Sequence, residues 1–212
     1  FAKYYRNVVG MYLLSAYGME LGSAFRSGYY LVRHIDDVLD GDRQVSCDPY
    51  GYVQDLRSQV ETGNYRNGSI ATLAEHAISH LERKKRLGDD PRLDFLRSID
   101  GIVFDYGRSQ ERRVLTEEQL EDYYYRTFDP VVNLSLMGLS PSLRSRDIPI
   151  MSYGLGRVYS VRDLSVDWTR GTINIPNEVL ERANLTISST LEEIQNSAEV
   201  QGWFSSALTA TK

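Results

Sequence analysis

Several features that define common protein classes are absent from this 212-residue sequence. It has a single cysteine, Cys47, which excludes a disulfide framework and a zinc site built on cysteines. No stretch approaches the roughly 18 apolar residues that a membrane-spanning helix needs. The formal net charge of −5 argues against nucleic acid as the main partner. No glycine-rich dinucleotide fingerprint, internal repeat or low-complexity tract is visible.

The hydrophobic fraction of 42% can fill a sizeable core, so we expect one soluble domain over residues 1–212. Apolar residues recur at intervals of three and four, whereas alternating β-branched runs are scarce, and this periodicity predicts an all-α fold. The N-terminal segment lacks the flanks and the cleavage site of a signal peptide, which favours a cytoplasmic protein.

Helix boundaries are predicted from this periodicity together with capping signals. Thr116 stands three residues before Gln119, and Ser189 three before Glu192, which is the spacing of a capping box. Asn177 begins another predicted helix directly after a proline. The predicted helices are residues 3–16, 20–41, 49–62, 69–87, 91–109, 116–139, 145–168, 177–183 and 189–209.

The first chemically informative stretch is "RHIDDVLDGD" (33–42). On a helix, Asp36 and Asp40 lie one turn apart on one face, with Asp37 about 100° further round and Arg33 one turn earlier. Crowded carboxylates repel one another, so such a cluster is stable when it is solvated, salt-bridged or filled by a cation. Mg²⁺ suits it because this ion prefers oxygen ligands. The alternative is an exposed acidic helix end with Arg33 as a surface partner.

A second acidic cluster lies in "VRDLSVDWTRGTINIP" (161–176). Asp163 and Asp167 are again one helical turn apart, with Arg162 before them and Arg170 after them. If antiparallel helices bring the two clusters face to face, the carboxylates form a metal-lined mouth over an apolar cavity. The neighbouring arginines could then bind a phosphate anion through paired hydrogen bonds.

The two clusters together indicate ionisation of a diphosphate ester, in which metal ions draw off the leaving group and a carbocation remains in an aromatic-lined pocket. The sequence is rich in tyrosine, with 15 residues. We expect Tyr30 and Tyr123 to present ring faces to this cation, and core packing is the alternative for each of them.

The two motifs resemble those of the squalene/phytoene synthase superfamily. "RHIDDVLDGD" is similar to the first aspartate-rich motif of that family, approximately CRxxDDxxD, and "RDLSVDWTRGTINIP" is similar to the second, approximately NxxRDxxEDxxRGRxYLP. Residues 105–126 resemble the intervening segment, and the resemblance covers most of residues 1–185. It implies an isoprenoid synthase-type helical bundle around a central apolar cavity, with Mg²⁺ as cofactor and prenyl diphosphates as substrates.

The resemblance also implies roles for individual side chains. It carries Asp36, Asp40, Asp163 and Asp167 over as catalytic, metal-binding residues, and Asp37 joins the candidate Mg²⁺ ligands through its place in the first cluster. It places Arg33 and Arg162 near the diphosphate, and Arg170 is a further candidate for substrate binding.

The sequence departs from the family pattern at several positions. Gly156 and Tyr159 replace the usual glutamine and asparagine before the second motif, and Thr172 and Asn174 replace an arginine and a tyrosine within it. The chain also ends some tens of residues short of a typical member. We therefore expect either a smaller cavity or the absence of C-terminal helices from the sequence.

A further departure is "TFDP" (127–130), where Pro130 is expected to break or kink a helix. Asp129 is then protonated, paired with Arg126 or another base, or turned out to solvent by the proline. The functional alternative places Asp129 at the cavity wall, where it contacts the substrate and stabilises or deprotonates a cationic intermediate.

Three functions remain open. Because several positions associated with holding two prenyl chains differ from the family pattern, the leading hypothesis is ionisation of one farnesyl or geranylgeranyl diphosphate followed by cyclisation or rearrangement to a terpene. The alternative is head-to-head condensation of two prenyl diphosphates to a squalene- or phytoene-like hydrocarbon. The third is a non-catalytic scaffold, against which the retained aspartates argue.

Two other patterns lie outside the motifs. His76 and His80 are spaced like half of a zinc site beside Glu75, but no third ligand is near in sequence. The basic run "RKKR" (83–86) would draw the chain towards anionic lipid, which predicts peripheral membrane association, and a solvated helix end is the alternative. The oligomeric state is not indicated.

Overall fold

The computed structural model describes Tyr12 and residues 18–209, and within these residues the chain forms helices and no strand. The predicted all-α fold is confirmed. The helices are α1 (Met19–Leu39), α2 (Pro49–Thr62), α3 (Thr72–Glu82), α4 (Pro91–Glu111), α5 (Glu117–Leu139), a short 3₁₀ helix (Ser145–Asp147), α6 (Pro149–Arg170), α7 (Asn177–Arg182), α8 (Leu191–Asn196) and α9 (Ala198–Thr209). Apart from Tyr12, the predicted helix 3–16 lies outside the described residues.

The single helix predicted for residues 189–209 is wrong, because α8 and α9 are separated at Ser197. Ser197 adopts an extended backbone, and its carbonyl accepts the Gln201 N–H at 3.0 Å, so it caps the start of α9. The predicted cap at Ser189 is also wrong. Thr190 forms the capping box of α8 with Glu193, one residue later than the sequence spacing indicated.

The capping box predicted at Thr116 and Gln119 is confirmed. The Thr116 N–H donates to Gln119 Oε1 at 3.0 Å, and the Gln119 N–H donates to Thr116 Oγ1 at 3.2 Å. Of the break or kink expected at Pro130, the break is wrong, because α5 continues through this proline to Leu139, in agreement with the predicted helix 116–139. A kink there stays a prediction. A proline removes only one backbone donor, and the residues that follow it, such as Val132, stay buried in the core.

The chain divides into two compact units, each built from two segments. The first unit comprises Phe1–Asp100 and Asn133–Arg144, and the second comprises Gly101–Val132 and Ser145–Lys212. Helices α4 and α5 contribute residues to both. That residues 1–212 form one domain stays a prediction. Among the residues that the structure describes, no helix has the length and hydrophobicity needed to cross a lipid bilayer.

In the first unit, α1 contributes a buried stripe that includes Leu31 and Ile35 and packs against α2 and α3. A buried ion pair also stabilises this unit, with Arg144 Nε 2.8 Å from Asp89 Oδ2. The buried stripe fixes the orientation of α1 and therefore the position of its last turn, which carries the first acidic motif.

In the second unit, buried apolar side chains surround the end of α6. Trp168, Ile173 and Ile175 belong to one such cluster. Gly156 lies directly against the ring of Tyr124, where an added Cβ would come within 2.3 Å of a ring carbon. The departure at Gly156 therefore has a steric explanation, since only glycine lets α6 approach Tyr124 this closely.

Candidate active site

The first acidic motif occupies the end of α1. Asp36 and Asp37 lie in its last turn, and Asp40 is the C-cap residue, whose N–H donates to the Asp36 carbonyl. Gly41 follows with φ 78°, a left-handed conformation that lets the chain leave the helix. Carboxylates here face the negative end of the helix dipole, and the last turn contains no basic residue. This placement is unfavourable for helix stability and therefore fits a cation-binding role.

Arg33 offsets part of the charge of this motif. Its guanidinium forms an ion pair with Asp36, and a second ion pair joins Arg33 Nη2 to Asp37 Oδ1 at 2.5 Å. The structure thus brings Arg33, Asp36 and Asp37 together, while Asp40 is exposed at the helix end. That Arg33 binds a diphosphate stays a prediction, because here it contacts carboxylates.

His34 connects the first motif to α2. Its Nε2 lies 2.9 Å from the Tyr52 hydroxyl. Burial lowers the pKa of His34, the positive charge of Arg43 lowers it further, and Asp37 acts in the opposite direction. His34 is therefore neutral at physiological pH and does not neutralise the carboxylates. On the same helix, the predicted cation-facing Tyr30 is largely exposed.

The second acidic motif lies on the last turns of α6. Asp163 accepts two hydrogen bonds from Arg162, one from Nε at 2.8 Å and one from Nη2 at 2.5 Å. The Arg162 guanidinium also lies 4.0 Å from the ring centroid of Tyr159. Arg170 is exposed in the last turn. The helix ends at Gly171, whose φ is 92° and where an added Cβ would come within 2.6 Å of the Ser109 carbonyl oxygen.

Asp167 has the most perturbed carboxyl group of the motif. Burial raises the pKa of Asp167 to about 7, and the negative charges of Asp163 and Asp105 add to this effect. The Asn174 Nδ2–H donates to Asp167 Oδ2 at 3.0 Å and acts in the opposite direction, as does Arg108. Burial therefore disfavours the charged form of Asp167, the two neighbouring carboxylates disfavour it further, and a bound cation would favour it.

Asp167 is connected through Asn174 to a buried network in the second unit. Arg108, which is fully buried, donates from Nη2 to Asn174 Oδ1 at 2.5 Å and from Nε to Asp105 Oδ1 at 2.9 Å. The Tyr123 hydroxyl donates to Asp105 Oδ2 at 2.6 Å. The predicted site residue Tyr123 is therefore buried within this network, with its ring 4.3 Å below the Arg108 guanidinium.

Three residues of this network, Asp105, Arg108 and Asn174, are not predicted from the sequence as site residues. An acid and an arginine three positions apart on a helix are typical of a solvent-exposed ion pair. Asn174 was noted only as a departure from the family pattern. One sequence feature could have indicated two of these residues. Asp105 and Arg108 lie in residues 105–126, which resemble the segment between the two motifs of the family.

Asp129 is buried on α5, with 4% of its surface exposed. The prediction that Pro130 turns Asp129 out to solvent is wrong, because the helix continues and keeps the side chain inside. Arg126 forms its ion pair with Asp122, at 2.7 Å, and both of these side chains are exposed. A role for Asp129 at a cavity wall stays a prediction.

The donor set of both motifs suits a hard divalent cation. All five predicted ligands are carboxylates, which supply the oxygen ligands that Mg²⁺ prefers. In the described part of the chain, however, no three His, Cys, Asp or Glu side chains are grouped closely enough to hold a metal ion. That the two motifs face one another across one cavity stays a prediction.

The all-helical fold, with two aspartate pairs each beside an arginine, is consistent with a helical isoprenoid synthase. The profile of the squalene/phytoene synthase family matches residues 11–211, so the chain belongs to this family. No curated protein and no solved structure shows significant similarity to the chain. Membership implies an isoprenoid-metabolising enzyme, because family members use divalent metal ions with prenyl diphosphates.

Proposed function

We propose that this protein condenses two prenyl diphosphates head to head in a reaction that depends on Mg²⁺. The observation that supports this function is the family match, which extends over residues 11–211 and includes both acidic motifs. The sequence-based preference for cyclisation is not confirmed, and the family match favours the condensation that was its alternative. The condensation requires ionisation of one allylic diphosphate and attack of the second prenyl chain on the resulting cation.

Five carboxylates are the proposed Mg²⁺ ligands, namely Asp36, Asp37, Asp40, Asp163 and Asp167. When bound, Mg²⁺ supplies Lewis-acid assistance to departure of the diphosphate. The chain's own contribution is to hold these carboxylates at two helix ends, where the backbone geometry keeps each pair one turn apart.

Arg33 and Arg162 are proposed to change partners during the reaction. In the structure each arginine is bonded to a carboxylate of its own motif. A cation at these carboxylates would compete with the guanidinium groups for the same oxygens. The released arginines would then be free to form paired hydrogen bonds with diphosphate oxygens.

Cyclisation of a single prenyl diphosphate remains a second candidate because of Asp129. A buried carboxylate in a helix of the second unit could accept the proton that a cyclic carbocation loses. Asp129→Asn keeps the shape and removes the charge. An altered product mixture at unchanged thermal stability would support a contact between Asp129 and the substrate. An unchanged mixture and rate would remove this support for cyclisation.

The deciding experiment is incubation of the protein with farnesyl or geranylgeranyl diphosphate and Mg²⁺, followed by hydrocarbon analysis. A linear product containing two prenyl units supports head-to-head condensation. A cyclic product containing one unit supports the second candidate. Absence of turnover with both substrates, in a protein that is folded by circular dichroism, would overturn both candidates and favour the scaffold hypothesis.

A further inference from the structure

One end of the first unit combines exposed apolar side chains with a basic run. Leu87 is fully exposed, Met19 is largely exposed, and Leu139 and Leu143 are a little under half exposed. The basic run is residues 83–86, directly before Leu87. We call these four apolar residues and the basic run the basic end of the first unit.

Contacts show that these residues share one end of the unit. Arg83 Nη2 lies 3.4 Å from Glu20 Oε2, which joins the end of α3 to the start of α1 beside Met19. Leu21 in the same turn of α1 packs against Gly138 near the end of α5, where an added Cβ would come within 2.9 Å of the leucine side chain. The start of α1 and the ends of α3 and α5 are therefore neighbours.

Two basic side chains join the α3–α4 connection to the residues that follow α5. Lys84 Nζ donates to the Gly138 carbonyl at 3.2 Å, and Arg86 Nη1 donates to the Ser142 carbonyl at 2.7 Å. Carbonyl oxygens have no net charge, so these contacts orient the two cations without neutralising them.

The acidic groups near this run offset only part of its charge. Lys85 forms an ion pair with Glu82 at 2.5 Å, and Arg83 is near Glu20. Asp89 is buried in its ion pair with Arg144, and Asp90 caps the start of α4 by accepting the Leu93 N–H. Asp90 stays charged while it caps α4 and offsets part of the charge of Lys84 and Arg86, so a smaller net positive charge remains beside a protruding leucine.

We propose that the basic end docks on an anionic lipid surface, with Leu87 entering the interface between head groups and acyl chains. Basic residues near such a surface each favour binding, and an exposed leucine adds apolar contact. A second copy of the chain is a poor occupant, because a two-fold interface would bring the same positively charged patch of both copies together. The protruding leucine also presents no groove for a peptide.

Docking through the basic end would keep the negatively charged first motif away from the anionic lipid surface. Helix α1 has 21 residues and is therefore about 30 Å long, with Met19 at one end and the first acidic motif at the other. This distance exceeds the Debye length of about 8 Å at physiological ionic strength. The carboxylates would thus be screened from the anionic surface while the basic end contacts it.

The test is cosedimentation of the full chain with vesicles of neutral phosphatidylcholine and with vesicles that also contain phosphatidylglycerol. We expect binding to the anionic vesicles alone, weakened by added salt. In the double variant Lys84→Gln and Arg86→Gln, the amides can still donate to the same carbonyls. Partitioning should nevertheless fall about 25-fold, because each lost charge weakens it about fivefold.

Leu87→Ser tests the apolar part of the contact, and it removes no packing because the side chain is fully exposed. It should also reduce partitioning, whereas Arg126→Gln, at an exposed arginine of the second unit, should leave it unchanged. Melting temperatures of all the variants should match that of the wild type.

Three results would overturn the proposal. They are no binding of the wild type to either vesicle, equal binding to neutral and anionic vesicles, and binding that the basic-end variants retain. Sedimentation velocity without lipid tests the other occupant, since a dimer that Leu87→Ser dissociates would assign the basic end to self-association instead. None of these readouts depends on prenyl diphosphate turnover, so the proposal and the enzymatic function can fail separately.

Discussion

The two acidic motifs have the same spacing but lie in different electrostatic surroundings. In the first unit, Asp36 and Asp37 are at a helix end that solvent reaches, and Arg33 forms ion pairs with both. In the second unit, Asp167 is half-buried, and burial raises its pKa to about 7. An aspartate of these motifs can therefore be arginine-paired, as Asp36, Asp37 and Asp163 are, or partly protonated near neutral pH, as Asp167 is.

The two motifs also differ in the groups that balance the negative charge of their carboxylates. A guanidinium close to both carboxylates compensates the first motif within its own helix. In the second motif Arg162 pairs with Asp163. Asp167 receives one neutral hydrogen bond from Asn174, whereas the buried cation Arg108 is bonded to Asn174 and Asp105. We therefore expect a bound cation to change the second motif more than the first.

The largest expected effect is loss of turnover when a ligand is removed from either motif. Asp36→Ala and Asp163→Ala should each lower product formation at saturating Mg²⁺ by about a hundredfold or more, because both motifs are needed to hold the metal ions. Their thermal stability should change little, since removing one of several crowded like charges relieves repulsion.

Asp122→Ala is the matched control, because this acid is exposed and pairs only with the surface residue Arg126. It should retain full activity. Turnover in excess EDTA equal to that with Mg²⁺ would contradict the prediction. Loss of folded structure in the two motif variants would show instead that the acids are structural.

The second effect is on the free energy of unfolding, which should depend more strongly on Arg108 than on Arg33. Arg108→Met should lower the free energy of unfolding by about 1–3 kcal/mol, because it removes a buried guanidinium that donates to Asn174 Oδ1 and pairs with the partly exposed Asp105. Arg33→Gln should cost about 1 kcal/mol or less, because its ion pairs are partly exposed to solvent. Denaturant unfolding measures both, and similar losses would show that the two motifs are equally buried.

The third effect is a pH dependence that only the second motif should produce. The pKa of Asp167 rises from 3.8 to about 7 on folding, so its contribution to stability is present below pH 3.8 and is lost as pH rises to about 7. Asp167→Asn lacks this loss and can still accept the Asn174 hydrogen bond. The metal-free variant should therefore exceed the wild type in stability by about 2–4 kcal/mol above pH 7.

This difference between variant and wild type should shrink towards zero near pH 4, where both side chains are neutral. Thermal melts across this pH range in the presence of EDTA provide the measurement. With Mg²⁺ added at pH 8, the order should reverse if the ion stabilises the wild type more than the variant. A difference that does not depend on pH would mean that Asp167 is ionised normally in the folded protein.

The sequence predicted the all-α fold and both acidic motifs because these depend on local spacing, which a helix converts directly into a shared face. It did not predict the network of Asp105, Arg108 and Asn174, because Arg108 and Asn174 are brought together by tertiary packing across 66 positions. It also misjudged Pro130. Local propensity favoured a helix break there, whereas burial of the neighbouring residues keeps α5 continuous.

The smallest expected effect is a change in the affinity of the protein for Mg²⁺, and this change should have opposite signs at the two motifs. Calorimetric titration of the protein with Mg²⁺ alone measures it. Asn174→Ala removes the donor that orients Asp167 Oδ2, and loss of such a supporting contact typically weakens metal affinity about tenfold. Thr172→Ala, in the same connection after α6, is the matched control and should leave the affinity unchanged. Arg33→Gln should instead strengthen binding a few-fold, because it removes a cation that competes for Asp36 and Asp37. If both substitutions weakened binding, Arg33 would have to support the metal site rather than compete with it, and the contrast between the two motifs would fail.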